Sequence, residues 1–303
     1  MNLSVDEKNI LDDTANEPRD ELLVALDAYS IEIGLNEAGS LDALADRLAI
    51  GTRIFLNMMP KDDIGDRIRV CQQIASLGMS PVPHIAARLV DRMRNVNEML
   101  ERFVQQGGVS EFLVIAGDYN QASGEIEDAL ALIEAIDGAN NGIQSIGIAG
   151  YPEGHPQISD EILDKALDDK IAALQTRDIK PHIVTQFSFN ADAIVAWSEK
   201  IHAGHPDIVI RIGVPGPAKL TTLIRFAQRC GVVSSMKKLK GLPVSSSLKL
   251  MQRVPPLNQT MAIGNYKITQ NDNATIHFFT FGGLEASIEW IRSEVAERSA
   301  PLP

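Results

Sequence analysis

The run Gly150-Tyr151-Pro152-Glu153-Gly154-His155-Pro156 places an aromatic ring, a carboxylate and an imidazole within one short segment. Turn chemistry accounts for its glycines and prolines, which bend and stiffen a loop. It does not account for Tyr151 and His155. Glu32 is the second group of interest. It stands between Ile31 and Ile33, and the two-residue period of a strand sends its side chain to the face opposite theirs. If that face is a protein interior, desolvation raises the carboxyl pKa and suits the group to donate a proton. A strand-end carboxylate paired with Lys or Arg is the competing reading, and spacing alone leaves both open.

Other polar groups stand at the ends of apolar runs: Asn57-Met58-Met59, Pro83-His84, Ala116-Gly117-Asp118 and Thr185-Gln186-Phe187. Gly117 lets the backbone approach a ligand closely, and Asp118 offers an acceptor-only carboxylate. A plain Gly-Asp turn explains the same pair. The amide of Gln186 both donates and accepts, as the edge of a flat heterocycle requires. His84 fits a hydrogen-bonded structural role more readily than a catalytic one. No acid stands near it at metal-ligand spacing, so no metal site is expected. No G-x-G-x-x-G, P-loop or G-x-S-x-G is present, and nucleophilic hydrolysis is unsupported. Gly282-Gly283 is a weak signal for phosphate at a helix N-terminus.

Eight β-rich apolar runs carry these residues: Tyr29–Ile33, Arg53–Met58, Ser80–Ile85, Phe112–Ala116, Ser145–Ala149, His182–Phe187, Ile208–Ile212 and Thr275–Thr280. Their near-continuous apolar character suits strands buried on both faces of a parallel sheet. Stretches of helical period lie between them. Ser40 is placed to cap a helix with Leu41, Leu44, Ala45 and Leu48 on one face; Met93, Val96, Met99, Leu100 and Phe103 form another stripe, and Ile126, Ala129, Leu130 and Ile133 a third. Strand followed by helix, eight times over, predicts a single (β/α)8 TIM barrel over residues 29–303, with residues 1–28 as an N-terminal extension and helix. A doubly wound sheet is the alternative that counting does not remove. The stretch from Val232 to Asp272 is too long for one loop and is expected to hold extra short helices between strands 7 and 8.

Composition bounds the function. The chain has 303 residues, 45% hydrophobic and 22% charged, with 40 acidic against 28 basic residues and a net charge of −12. That balance argues against nucleic acid or an anionic membrane as partner. Two cysteines, Cys71 and Cys230, and a polar N-terminal segment point to a reducing, cytoplasmic setting. The segment Ser234–Leu250 offers a surface for a homo-oligomer, and its Lys237, Lys238 and Lys240 read as a solvated face.

The run Ile146–Pro156, IGIAGYPEGHP, resembles the fifth-strand motif of the methylenetetrahydrofolate reductase family. Ser30-Ile31-Glu32, Pro83-His84, Gly117-Asp118 and Thr185-Gln186-Phe187 follow the family in the same order. The resemblance implies a barrel that holds FAD and reduces 5,10-methylenetetrahydrofolate to 5-methyltetrahydrofolate, in one-carbon metabolism and methionine biosynthesis, with NADH or NADPH as donor. By position it implies Glu32 as general acid and Asp118 as a carboxylate near flavin and pterin. It implies Gln186 on the pterin and His84, Gly117, Tyr151 and His155 on the flavin. Asn57, with Met58 after it, falls where the family has a Thr near nicotinamide and flavin. Lys170 matches a Lys near the flavin phosphates or ribityl chain. The chain departs from the pattern where Ala116 replaces an Arg and Leu220 replaces an aromatic that stacks on substrate and nicotinamide. A flavin-free pterin-binding one-carbon transferase and a non-catalytic folate-binding relative are the alternatives.

Overall fold

All eight apolar runs are strands: β1 Tyr29–Ile33, β2 Arg53–Leu56, β3 Ser80–Ala86, β4 Glu111–Ile115, β5 Ser145–Gly150, β6 Lys180–Thr185, β7 Val209–Pro215 and β8 Ala274–Phe279. The structure is a computed structural model and describes residues 20–90, 95–117, 122, 124–137, 142–232 and 253–299. Each strand pairs in parallel with its neighbours in sequence, and β8 pairs with β1, closing the barrel. The helices are α1 Glu21–Leu26, α2 Leu41–Leu44, α3 Ile64–Ser76, α4 Val96–Gly107, α5 Ala129–Glu134, α6 Asp160–Gln175, α7 Ala191–Gly204, α8 Leu220–Arg229, α9 Leu257–Thr269 and α10 Leu284–Ser299. This is a (β/α)8 TIM barrel.

Strand alternation divides the apolar residues between two cores. Ile54, Ile146, Ile148, Ile210 and Ile276 belong to the large outer core that the helices share. Phe55, Val82, Leu113 and Val184, with Ile115, form a separate cluster. They alternate with the outward residues, so they fill the barrel's interior. Burying each such side chain contributes roughly 1.5–3 kcal/mol. The helix stripes follow the same logic. Val96, Met99, Leu100 and Phe103 form the buried side of α4, although Met93 lies outside the described residues.

Local signals were weaker than the periodic ones. Ser40 makes no side-chain cap bond, and the regular α-helix after it lasts only from Leu41 to Leu44 before tightening into a 3-10 turn. The third stripe starts later than its spacing predicts. Asp128 accepts a hydrogen bond from the Ala131 N–H and starts α5 at Ala129, leaving Ile126 buried but outside the helix. Between β7 and β8 lie α8, α9 and a two-stranded antiparallel ribbon joining Ala218–Lys219 to Arg253–Val254. The segment Ser234–Leu250, with its three lysines, lies outside the described residues. Helix α1 seats its backbone on α9 at Gly264. A Cβ there would lie 1.7 Å from the Glu21 carbonyl oxygen, so only glycine permits the contact.

Candidate active site

β1 delivers Glu32 to the barrel interior, as its alternation with Ile31 and Ile33 requires. In register it lies beside Phe55 of β2 and Phe279 of β8. Its side chain is 16% exposed, and its Oε2 lies between two imidazoles, 3.6 Å from His84 Nε2 and 3.5 Å from His277 Nε2. Among the described residues no Lys or Arg forms an ion pair with it; the groups that meet its Oε2 there are imidazoles. Burial pushes the Glu32 carboxyl above its ordinary range, against smaller opposing effects of His84 and Asn57. Burial pushes His84 down to about 4, with Glu32 pulling the other way, and His277 down to about 3, helped by Arg211. These directions agree: carboxyl and imidazoles are all favoured in their neutral forms, and the group is not a set of ion pairs.

Phe55 forms the floor beneath them. Its ring meets the His277 ring edge-on at 4.6 Å and the His84 ring at 6.0 Å. A third interior imidazole, His182, bonds Ser145 Oγ through Nδ1 at 2.8 Å. Gly147 makes room for it, since a Cβ there would lie 2.6 Å from His182 Nε2. Near the strand starts, Glu111 accepts from Arg53 Nε at 2.9 Å on each oxygen and lies 3.8 Å from Arg211. The sequence reading begins β4 at Phe112 and so omits Glu111. The strand starts one residue earlier, and the barrel holds a second carboxylate. That one is paired with arginines at the end where barrels are stabilised, whereas Glu32 is at the end where their chemistry sits.

Most of the other expected site residues follow the C-terminal ends of the strands, and Lys170 lies within α6. Asn57 and Met58 follow β2. Asn57 Oδ1 is buried without a partner, and Met58 Sδ accepts the Ala86 N–H at 3.3 Å. Ala116 and Gly117 follow β4 half-buried, and Gly117 takes a positive φ of 93°. Asp118 lies outside the described residues. Tyr151 and His155 meet edge-on at 5.5 Å after β5. Gln186 Oε1 accepts the Phe187 N–H at 3.1 Å. Lys170 on α6 is held below its ordinary range by burial, offset by attraction to Asp128. Leu220 opens α8 and is 3% exposed, packed with Leu223 and Ala227 against Phe189 and Phe281. A cavity of about 300 Å³ lies behind the β5 loop between α6 and α7, lined by Tyr151, Glu153, Asp164 and Trp197 among others. Glu32, His84 and His277 are not among its walls.

Several residues escaped the sequence reading. His277 was visible as a lone imidazole inside the eighth run, on the same parity as Thr275 and Phe279. Arg88 donates to the Gly117 carbonyl at 3.2 Å and the Glu127 carbonyl at 2.9 Å. It brings a guanidinium to the neighbourhood where Ala116 lacks one. Phe281 stacks on Phe226 at 4.0 Å and on Phe279 at 5.6 Å, which gives an aromatic surface beside Leu220. No motif flags a contact between α8 and the segment after β8. Among the described residues there is no cluster of His, Cys, Asp or Glu able to hold a metal, and no helix is long and apolar enough to cross a membrane.

The chain is thus a (β/α)8 barrel in which a desolvated carboxyl and two buried imidazoles converge beneath the C-terminal mouth. Residues 65–246 match the family model for methylenetetrahydrofolate reductase, and the chain belongs to that family. It is 25% identical over 171 residues to methylenetetrahydrofolate reductase 2 of Saccharomyces cerevisiae, covering 54% of this chain and 27% of that protein. It is 30% identical over 115 residues to methylenetetrahydrofolate reductase 1 of Schizosaccharomyces pombe, covering 38% and 18%. The matched stretches thus span less than a third of these curated relatives. Among solved structures, the dihydropteroate synthase of Thermus thermophilus aligns over 91% of this chain and 96% of its own, with TM-score 0.49 and 11% identity. A likeness at that level carries no functional weight.

Proposed function

We propose that this chain reduces 5,10-methylenetetrahydrofolate to 5-methyltetrahydrofolate at the mouth of the barrel, with FAD as cofactor, NADH or NADPH as donor and Glu32 as proton donor. One observation carries the reading: Glu32 is a carboxyl in the barrel interior, at the end of β1, with burial raising its pKa and no cation paired to it among the described residues. A general acid working near neutral pH needs such an environment. Membership of the family supplies the substrate class.

The residues present fit a flavin. Asn57 Oδ1 is a buried acceptor without a partner near the mouth, where the edge of a heteroaromatic ring would satisfy it. Gly117 offers close backbone approach, and Lys170 offers a partly desolvated ammonium for a diphosphate. When bound, the flavin supplies the hydride that no side chain can donate. Glu32 holds the proton for the bridging nitrogen of the folate, and its apolar floor keeps that proton from water. Gln186 and Asp118 bind the pterin in this reading, and Tyr151, His155 and His84 contact the flavin. Residues 29–303 form the flavin- and folate-binding barrel, with residues 1–28 ahead of it.

The test is an absorbance spectrum of purified protein, then anaerobic titration with NADH, NADPH and methyltetrahydrofolate. Glu32→Gln is expected to retain flavin and lose turnover by about 10²-fold or more. Colourless protein that does not take up FAD, or near-normal turnover in that variant, refutes the reading.

A further inference from the structure

Ser30, His277 and Glu32 form a line of hydrogen-bonding groups across the β1–β8 seam. Ser30 Oγ lies 3.3 Å from the Ile276 carbonyl and 2.9 Å from His277 Nδ1. His277 Nε2 lies 3.5 Å from Glu32 Oε2. One hydroxyl proton serves one of the two Ser30 contacts. If it goes to Nδ1, the Ile276 contact is lost. If it goes to the carbonyl, the hydroxyl oxygen accepts from a protonated Nδ1, and both contacts are satisfied. Neutral His277 then carries its proton on Nδ1 and turns a lone pair on Nε2 toward Glu32.

A lone pair facing that oxygen is repelled by a carboxylate and attracts a carboxylic O–H. The same Oε2 lies 3.6 Å from His84 Nε2, a buried atom with no hydrogen-bond partner. An oxygen that donates its proton to His277 keeps lone pairs free to accept one from His84. We infer that His277 and His84 hold opposite tautomers, Nδ1–H and Nε2–H: the His277 acceptor keeps Glu32 protonated, and the His84 donor fixes the oxygen that carries the proton. This makes Ser30 and His277 positioning residues for the acid, and it rests on the proposed role of Glu32.

The surrounding charges favour the arrangement. Arg211 on β7 acts on His277, and Arg67 from α3 acts on His84; each opposes a charged imidazole. His277 is fully buried, and its ring is fixed edge-on to both Phe55 and Phe279. At 3.5 and 3.6 Å the contacts to Glu32 are at the outer limit of hydrogen-bond length.

The experiment is long-range 1H–15N NMR of 15N-histidine protein at pH 7, with no folate added, together with the infrared band of a protonated carboxyl. The expected result is a proton on His277 Nδ1, a proton on His84 Nε2, and a carboxylic-acid band that disappears in Glu32→Gln. A proton on His277 Nε2, or none on His84 Nε2, overturns the inference. Ser30→Ala removes the group that fixes the tautomer. It is expected to lower the pH midpoint of the Glu32 band by about one unit, tenfold in its ionisation constant. An unchanged midpoint overturns the inference, and the wild-type spectra decide the tautomers if this variant does not fold. These readouts need neither flavin nor turnover. Failure of the proposed reduction would therefore appear in the Glu32→Gln kinetics and leave the tautomers as they are.

Discussion

Lowering the pH from 6.5 to 5 should remove much of the stability of this barrel while leaving its apolar packing untouched. His84, His182 and His277 have an ordinary pKa of 6.5 when unfolded. In the barrel, burial holds them down to about 4, well below that value, and to about 3, respectively. Arg211 adds to the effect at His182 and His277, and Arg53 at His182. The folded pKa is below the unfolded one, so the unfolded chain binds protons that the folded chain refuses. Stability then falls as pH drops through 6.5 toward the folded values. At pH 5 the linkage integral is on the order of 3 kcal/mol for His84 and His277 together relative to pH 6.5, and His182 adds to it in the same direction. Glu32 has the opposite sign, because its raised pKa lets the folded state take a proton first, and it offsets part of this loss. A loss of this size is a substantial share of the stability of an ordinary domain, about 5–15 kcal/mol. Urea unfolding followed by circular dichroism at pH 7, 6.5, 5.5 and 5 measures it. His182→Gln, which removes one of the three, should make the loss smaller. A stability that is flat over this interval, or a slope unchanged in His182→Gln, would show that these imidazoles are not held neutral.

Further outcomes follow from single contacts. Gly147→Ala would place a Cβ 2.6 Å from His182 Nε2 and 3.1 Å from Leu113 Cδ1, and overpacking of that kind costs about 1–3 kcal/mol; an unchanged melting midpoint would contradict the geometry. Cys71 is fully buried, and burial pushes its thiol up to about 12. Native protein should therefore expose only Cys230 to a thiol reagent, and fast modification of both would contradict this. Arg88→Ala removes the donor shared by the Gly117 and Glu127 carbonyls. The expected cost is roughly 1–3 kcal/mol, with earlier proteolytic cleavage between β4 and α5; an unaltered digestion pattern would count against a role in ordering that loop.

Legibility in the sequence tracked the strength of the repeat. The barrel was readable because its strands are apolar on both faces. Ile146 and Ile148 pack outward against helices, while Phe55 and Leu113 fill the interior, and each run announces itself without knowledge of the others. Element ends were harder, since a cap such as Asp128 or an early strand start such as Glu111 depends on one contact rather than a period. The environment of Glu32 was half readable. Alternation placed its side chain opposite Ile31 and Ile33. Whether a cation or an imidazole would meet it there depended on barrel closure. Arg67 shows the limit. An i,i+3 reading of α3 gives no reason for a wholly buried guanidinium, yet it donates to the Leu56 and His84 carbonyls at 3.2 and 2.6 Å and ties together the ends of β2 and β3.

The seam between β1 and β8 also sets a timetable. Glu32 and His277 are 245 residues apart in the chain. A ribosome adding about 5–20 residues per second leaves the carboxyl without its second imidazole for roughly 12–50 s. Until the last strand docks, β1 has an open edge, and its ionisable side chain is still in water. The emerging polypeptide must therefore be kept from pairing that edge with a stranger, and the acid comes into being only when the ring is shut.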